Sequence, residues 1–277
     1  MHRWLAVLSL ALTLAVAAGC SDKNNPTGTS QGTLRMQMTD APATYEAVRL
    51  VVTEVAVHRA GTDTTSGWEV IKSDSTIYDL IQLKNGVLAP IATTVLPSGN
   101  YTQVRLKLGA GSTIVVDGVV HPLVVPSGMQ SGLKLNGAFD VPAGGTVDLV
   151  LDFDAQRSIV VTGGGTYILK PVVRVQVASN AGSIKGRLLP DTVTANVWAW
   201  TSGGETLGHA IPASDGRFAL AALPVGSYTV AVRPTFAFGD TTILNVSVAA
   251  SAVTDLGDIP LSPTVAVSRP VSARVRR

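Results

Sequence analysis

Apolar and polar residues alternate with a period of two along most of the chain from Gly32 onward. Leu34, Met36 and Met38, for example, are separated by polar residues. This alternation is typical of β-strands that bury one face. A later segment repeats it, with an apolar face formed by Val147, Leu149, Leu151 and Phe153. The pattern predicts strands through the body of the chain.

The segment 47–58 changes phase part-way along its length. Its apolar residues occupy one face up to Val52 and the opposite face from Val55. One extra residue in a strand shifts the alternation by one position. We therefore predict a β-bulge near Thr53 and Glu54.

Turn residues separate the predicted strands. Asp117-Gly118 divides the apolar segment 113–121, and an Asp-Gly pair favours the tight turn of a hairpin. Residues 167–177 predict the last long strand of this region. Only residues 75–83 have a helix-like pattern, which is long enough for one or two turns.

Composition agrees with an all-β chain, because Val and Thr are abundant and β-branched side chains favour strands. The length of 277 residues allows two domains. The 21 basic residues nearly balance the 19 acidic ones. Binding of nucleic acid needs a concentrated basic face, so we expect no nucleic-acid partner.

The first 20 residues have the pattern of a secretory signal. Arg3 precedes an uncharged apolar run, 4–18, and small residues precede Cys20, the only cysteine. This arrangement resembles the lipobox of bacterial lipoproteins, in which the cysteine is acylated and becomes the mature N-terminus. The resemblance implies a signal peptide over 1–19 and a lipid anchor at Cys20, with Ser21 resembling an outer-membrane address. An ordinary cleaved signal and a retained apolar helix are the alternatives.

Polar segments flank the strands at both ends. We predict that residues 20–31 comprise the acylated cysteine and a flexible linker. Residues 262–277 form a basic tail that contains Arg269, Arg274, Arg276 and Arg277. We interpret it as a solvated tail or as a contact for anionic envelope polymers.

An ordered set of short motifs covers residues 32–178. It includes Thr39-Asp40-Ala41-Pro42, Tyr78-Asp79-Leu80, Leu96-Pro97-x-Gly99-x-Tyr101, Gly132-Leu133-Lys134-Leu135, Leu151-Asp152-Phe153-Asp154 and Leu169-Lys170-Pro171-Val172. This set resembles the family called domain of unknown function 4382. The resemblance implies a β-rich domain of envelope lipoproteins and no particular activity.

A second unit is predicted over residues 182–261. Asp215-Gly216-x-Phe218-x-Leu220 is followed by Leu223-Pro224-x-Gly226-x-Tyr228-x-Val230. This spacing resembles the carboxypeptidase regulatory-like domain, a transthyretin-type β-sandwich close to starch-binding folds. The motif around Pro97 has the same residues at the same spacing as the motif around Pro224, Leu-Pro-x-Gly-x-Tyr. We therefore predict an all-β protein with two β-sandwich-like domains in tandem.

Three carboxylates, Asp148, Asp152 and Asp154, fall on one face of a predicted strand. Oxygen ligands close together suit calcium, so these residues are candidate metal ligands and calcium is the candidate cofactor. The alternative is a solvated face or ion pairing with a basic residue of a neighbouring strand, for which the candidates are Arg105, Lys107 and Arg174.

Trp198 and Trp200 are the candidate ligand-binding residues. Ala195, Val197 and Ala199 fit the inward face of a sandwich, which leaves both indoles on the other face with Asn196. Adjacent indoles offer a flat surface for stacking on sugar rings or for docking a partner. The alternative is that the first domain, or Phe236 and Phe238, cover them.

Catalytic patterns are weak. His58, His121 and His209 lie far apart in sequence, and we expect each at the surface or in a turn. We predict a non-catalytic binding module of the cell envelope, with carbohydrate as the ligand class that the fold resemblance implies. The alternative functions are a structural or scaffolding subunit of an envelope assembly and, third, a hydrolase.

Overall fold

The computed structural model describes residues 30–41, 43–63, 65–126 and 131–264. Its regular structure is almost entirely β-strand, which confirms the all-β fold class. The first part of the chain contributes β1 (Gln31–Ala41), β2 (Ala47–Arg59), β3 (Trp68–Lys72), β4 (Thr76–Asp79), β5 (Ala89–Pro97), β6 (Gly99–Leu108), β7 (Thr113–Val116), β8 (Val119–Val124), β9 (Leu133–Val141), β10 (Thr146–Asp154), β11 (Ile159–Val161), β12 (Tyr167–Leu169) and β13 (Val173–Val177).

The second part contributes the remaining strands. They are β14 (Ala181–Leu189), β15 (Ala195–Thr201), β16 (Thr206–Ala210), β17 (Arg217–Pro224), β18 (Gly226–Pro234), β19 (Thr241–Val248) and β20 (Val253–Pro260). Helical structure among the described residues is limited to single turns, which are α1 (Ala155–Ser158) and the 3₁₀ turns Leu80–Leu83 and Ala178–Asn180.

Four sheets form from these strands. The first has the order β13-β10-β1-β5, and the second has the order β11-β12-β8-β7-β2-β6-β9, with β3 and β4 also paired to β2. The third sheet is β17-β14-β20 and the fourth is β16-β15-β18-β19. Strands β1 and β10 are parallel, as are β14 and β20.

Two hydrophobic cores lie between these sheets. The first contains residues from Leu34 to Leu169, including Tyr101 and Phe153, which are almost fully buried. The second contains residues from Ile184 to Leu261. Alternation therefore buries one face of each sheet, as the sequence pattern predicts.

The predicted bulge in β2 is confirmed. The pairing of β2 with β6 shifts register between Val52 and Glu54. Because the bulge compensates for the change of phase, Val52, Val55 and Val57 all reach the first core. The hairpin at Asp117-Gly118 is also confirmed, since both residues have positive φ (50° and 73°) between β7 and β8.

The prediction of one strand over 167–177 is wrong. The segment divides into β12, which pairs with β11 and β8, and β13, which pairs with β10 in the other sheet. Pro171 has no N–H for a ladder bond, and the residues on either side of it bond to buried Ser158. Lys170 N–H donates to the Ser158 carbonyl at 2.8 Å, and Val172 N–H donates to Ser158 Oγ at 2.9 Å.

The helix-like segment 75–83 is only partly helical. Its first half is strand β4, and the 3₁₀ turn Leu80–Leu83 follows. Asp79 ends the strand and caps the turn, because its Oδ1 accepts a hydrogen bond from Ile81 N–H at 3.2 Å. The short helix α1 was not predicted.

A turn from the first part of the chain contacts the second part. Asn85, with a φ of 58°, donates from Nδ2 to the carbonyl of Ile211 at 3.3 Å. Gly86 follows it, and a Cβ there would lie 3.5 Å from the Cβ of Ala221. The Asn-Gly turn therefore forms part of the contact between the two parts of the chain.

Candidate ligand-binding site

Strand β15 has one buried face and one partly exposed face, as the sequence predicts. Ala195, Val197 and Ala199 are buried in the second core. Trp198 and Trp200 are half-buried on the opposite face of the fourth sheet. Two residues apart on one strand, their Cα atoms are spaced by about 7 Å.

His209 of β16 extends this face. It pairs with Trp198, and the two rings are nearly parallel, with centroids 5.2 Å apart and an interplanar angle of 12°. His209 Nε2 donates a hydrogen bond to Asn196 Oδ1 at 3.0 Å, which fixes the imidazole ring. We call Asn196, Trp198, Trp200 and His209 the aromatic face.

The strand on the other side of β15 carries small residues opposite the indoles. Ala231 is opposite Trp198, and Thr229 is opposite Trp200. Phe236 is 73% exposed and therefore covers little, while Phe238 packs against the second core. Whether the aromatic face binds a ligand stays a prediction.

A cavity of about 200 Å³ lies between the two parts of the chain, next to the aromatic face. His209 lines it together with Glu205 from the second part. The first part contributes charged residues, which are Asp152, Asp154, Arg157 and Arg174. His209 therefore belongs to the aromatic face and also lines this cavity, to which the first part of the chain contributes charged side chains.

The three candidate calcium ligands are each paired with a different arginine. Asp148 forms a two-point ion pair with Arg35, at 2.6 and 2.7 Å. Asp152 pairs with Arg174, and Asp154 lies 3.8 Å from Arg157, whose N–H it also caps. Within the described ranges, no three His, Cys, Asp or Glu side chains are arranged to hold a metal ion. At Asp152 the structure shows the alternative, pairing with Arg174, whereas Arg105 and Lys107 both pair with Glu54.

Sequence reasoning missed Asp40, which is only 4% exposed. Its Oδ1 accepts a hydrogen bond from Ala155 N–H at 2.9 Å, and its Oδ2 has no hydrogen-bond partner among the described residues. Burial raises the pKa of Asp40 well above its usual range, and the carboxylates of Asp152 and Asp154 add to this effect. The sequence does contain a signal for this burial. Asp40 follows Met36 and Met38 at the same two-residue spacing, so the alternation of β1 places its side chain on the buried face.

The prediction of a surface or turn position is wrong for His58, which lies in β2 and is only 5% exposed. His121 and His209 lie in β8 and β16 and are partly exposed. Each contacts an aromatic ring: His58 contacts Trp68, His121 contacts Tyr167, and His209 contacts Trp198.

Two predicted features fall outside the described residues. These are the lipid anchor at Cys20 and the arginines of the basic tail. Among the residues that the structure does describe, no helix is long and apolar enough to span a membrane.

A family model supplies the identification of the first region. The model described as domain of unknown function (DUF4382) matches residues 31–171. The chain belongs to the DUF4382 family. The DUF4382 match begins at β1 and ends at Pro171, just before β13. The resemblance of residues 182–261 to the carboxypeptidase regulatory-like domain stays a prediction.

Other comparisons give distant similarities for this DUF4382 protein. No curated protein matches the chain. A type II cohesin–X-dockerin complex from Acetivibrio cellulolyticus is 25% identical over 30% of this chain, with a TM-score of 0.24, and the match spans 58% of that chain. The minor pilin GBS52 of Streptococcus agalactiae is 10% identical, with 85% of this chain and 99% of that chain covered and a TM-score of 0.25. The shaft pilin SpaA of Lactobacillus rhamnosus GG is also 10% identical, with 85% and 98% covered and a TM-score of 0.25.

Proposed function

We propose that this DUF4382 protein is a non-catalytic lipoprotein of the bacterial cell envelope that binds a glycan through its aromatic face. The observation that carries the proposal is the nearly parallel stack of Trp198 on His209, beside Trp200 on the same outward surface. The lipid anchor at Cys20 holds this face near the envelope, with the outer membrane as the proposed location.

The chemistry of the aromatic face suits a sugar. A pyranose ring has an apolar C–H face that stacks on an indole, and its hydroxyls need polar partners at the rim. Arg233 is opposite Asn196 and forms an ion pair with Asp240 at 3.3 Å. The carboxylate of Asp240 is 61% exposed and can accept a hydrogen bond from a ligand hydroxyl.

A glycan array tests this function. The mature chain should bind a defined set of glycans, and the double variant Trp198→Ala, Trp200→Ala should lose binding of those that dock on the aromatic face. Phe236→Ala is the matched control, because it removes an exposed aromatic ring elsewhere in the same domain. An array with no glycan bound by the mature chain would contradict the proposal.

One observation favours the alternative, a scaffolding subunit of an envelope assembly. Val120 and Val124 on β8 are 60% and 42% exposed, and Val160 on β11, at one edge of the second sheet, is 36% exposed. Exposed apolar side chains grouped on one sheet are typical of protein-interaction surfaces. If the chain is a scaffolding subunit, chemical cross-linking should capture it in a complex with another envelope protein. Val124→Lys should abolish that complex, and the Trp198→Ala, Trp200→Ala variant should retain it.

A further inference from the structure

A third tryptophan, Trp68, begins the short strand β3 in the DUF4382 region. Within the described residues this strand pairs only with β2, where Trp68 is opposite His58. Trp68 is half-buried, so part of its indole surface faces solvent. It lies in a different sheet from the aromatic face.

Neighbouring side chains hold the indole in place. The guanidinium carbon of Arg105 lies 4.5 Å from the ring centroid, and Lys134 Nζ lies 5.8 Å from it. The His58 ring contacts it at 5.0 Å with a tilt of 59°. Arg105 is itself fixed by Glu54, through a 3.1 Å hydrogen bond. A ligand therefore meets an ordered ring, which lowers the entropic cost of binding.

A cleft of about 340 Å³ opens beside Trp68. This volume is within the range of about 300–1,000 Å³ that is typical of small-molecule sites. Besides the indole, the polar side chains that line it are Arg59, Thr62, Thr65, Ser66 and Glu69.

Local hydrogen bonds shape the wall of the cleft. Thr62 Oγ1 donates to the Arg59 carbonyl at 2.6 Å, and Arg59 N–H donates to the Gly67 carbonyl at 3.0 Å. Asp63 Oδ1 accepts hydrogen bonds from Thr65 N–H at 2.9 Å and Thr65 Oγ1 at 3.0 Å. Gly67 has a φ of 36°, and a Cβ there would clash with the Thr62 hydroxyl.

The lining specifies the chemical class of the ligand. An indole offers an apolar surface, while hydroxyls, a guanidinium and a carboxylate offer both donors and acceptors. Arg59 and Glu69, which line the cleft, carry opposite charges, and Arg105 over the indole is paired with Glu54. We propose that this cleft binds a saccharide ring of a neutral oligosaccharide. This site is separate from the aromatic face, and the proposal does not rest on the function assigned to that face.

The chain allows a direct test, because its four tryptophans are Trp4, in the predicted signal, and Trp68, Trp198 and Trp200. In a mature chain that starts at residue 21 and carries Trp198→Phe and Trp200→Phe, Trp68 is the sole tryptophan. Its fluorescence is titrated with cellohexaose, xylohexaose, chitohexaose and maltohexaose, and with polygalacturonate as the acidic comparison. We expect a saturable change with at least one neutral hexasaccharide and a weaker response to polygalacturonate.

Calorimetry on further variants separates this site from the aromatic face. In the chain that keeps Trp198 and Trp200, Trp68→Ala should weaken binding of the responding hexasaccharide by about tenfold or more, and Trp68→Phe should retain most of the affinity. Phe236→Ala should have no effect. The proposal is overturned if no neutral hexasaccharide changes Trp68 fluorescence, if polygalacturonate binds more tightly than all of them, or if folded Trp68→Ala binds with unchanged affinity. The aromatic face is altered in the Trp198→Phe, Trp200→Phe variant. A fluorescence response of Trp68 in that variant therefore supports ligand binding in this cleft, even if the aromatic face binds no glycan.

Discussion

The Tyr228 hydroxyl donates a hydrogen bond to the carbonyl of Pro224, four residues earlier, at 2.7 Å. Tyr101 makes the same bond to Pro97 at 3.0 Å in the DUF4382 region. Both tyrosines are almost fully buried, and each is the last residue of the sequence Leu-Pro-x-Gly-x-Tyr. The repeated motif therefore marks the same strand corner in two separate cores.

Removing either hydroxyl should destabilise the core that contains it. Tyr228→Phe and Tyr101→Phe keep the buried ring but leave the proline carbonyl without its donor, at a cost of about 0.5–1.5 kcal/mol each. Burial, with a smaller contribution from Glu69, raises the pKa of Tyr101 to about 12, so its hydroxyl stays a donor at neutral pH. Urea unfolding of each variant measures the effect. Unchanged unfolding midpoints in both would show that the corners do not depend on these bonds.

Asp40 should make the protein more stable at acidic pH. Its folded-state pKa lies above the value of about 3.9 expected for an unfolded chain, so the folded state binds the proton more tightly. The stabilising contribution is complete below the unfolded pKa and is lost as pH rises through the folded pKa. Asp152 acts in the same direction, because burial raises its pKa to about 6 despite the Arg174 contact.

Asp40→Asn should therefore stabilise the protein at pH 8, by about 1–3 kcal/mol, and have less effect at pH 4. Urea unfolding from pH 4 to pH 8 measures this difference. Asp148→Asn is the control, because its exposed ion pair with Arg35 should contribute no more than about 1 kcal/mol. Loss of stability of Asp40→Asn at pH 8 would mean that the charged form is the one the fold requires.

Features set by local periodicity were predictable from the sequence. The β2 bulge, the Asp117-Gly118 turn and the division of β15 into a core face and an aromatic face all follow from alternation and turn chemistry. The break at Pro171 was missed, because the apolar pattern continues across it while the chain passes from one sheet to another. The alternation of β1 places Asp40 on the buried face, but its partners Ala155, Asp152 and Asp154, like the neighbours of Trp68, are distant in sequence, so no local pattern could supply them.

Residues 182–261 should fold alone. They contain the whole second core, and their contacts with the first part include the turn at Asn85 and the cavity lined by Asp152, Arg174 and His209. Expressed by itself, this segment should give a β-type circular dichroism spectrum and a cooperative thermal transition. A spectrum typical of an unfolded chain would mean that the DUF4382 region completes its core.

Cys20→Ser should prevent lipidation, because a hydroxyl does not replace the thiol as the acyl acceptor. Labelling with a radioactive fatty acid and fractionation of membranes measure the result. We expect the variant to be unlabelled and to leave the membrane fraction, while Ser21→Ala keeps both properties. A labelled, membrane-bound Cys20→Ser protein would exclude the lipoprotein interpretation.

The most direct test of the glycan-binding account compares stability with binding in Trp198→Ala, Trp200→Ala. On a half-buried outward face the two changes together should cost no more than about 2 kcal/mol, whereas core tryptophans would cost about 3–5 kcal/mol each. Thermal melting is measured on the same preparation as titration of a glycan that the mature chain binds and that Trp68→Ala binds with unchanged affinity. The account predicts a nearly unchanged melting temperature with binding lost. A collapse of the melting temperature, or intact glycan binding in the folded variant, would contradict it.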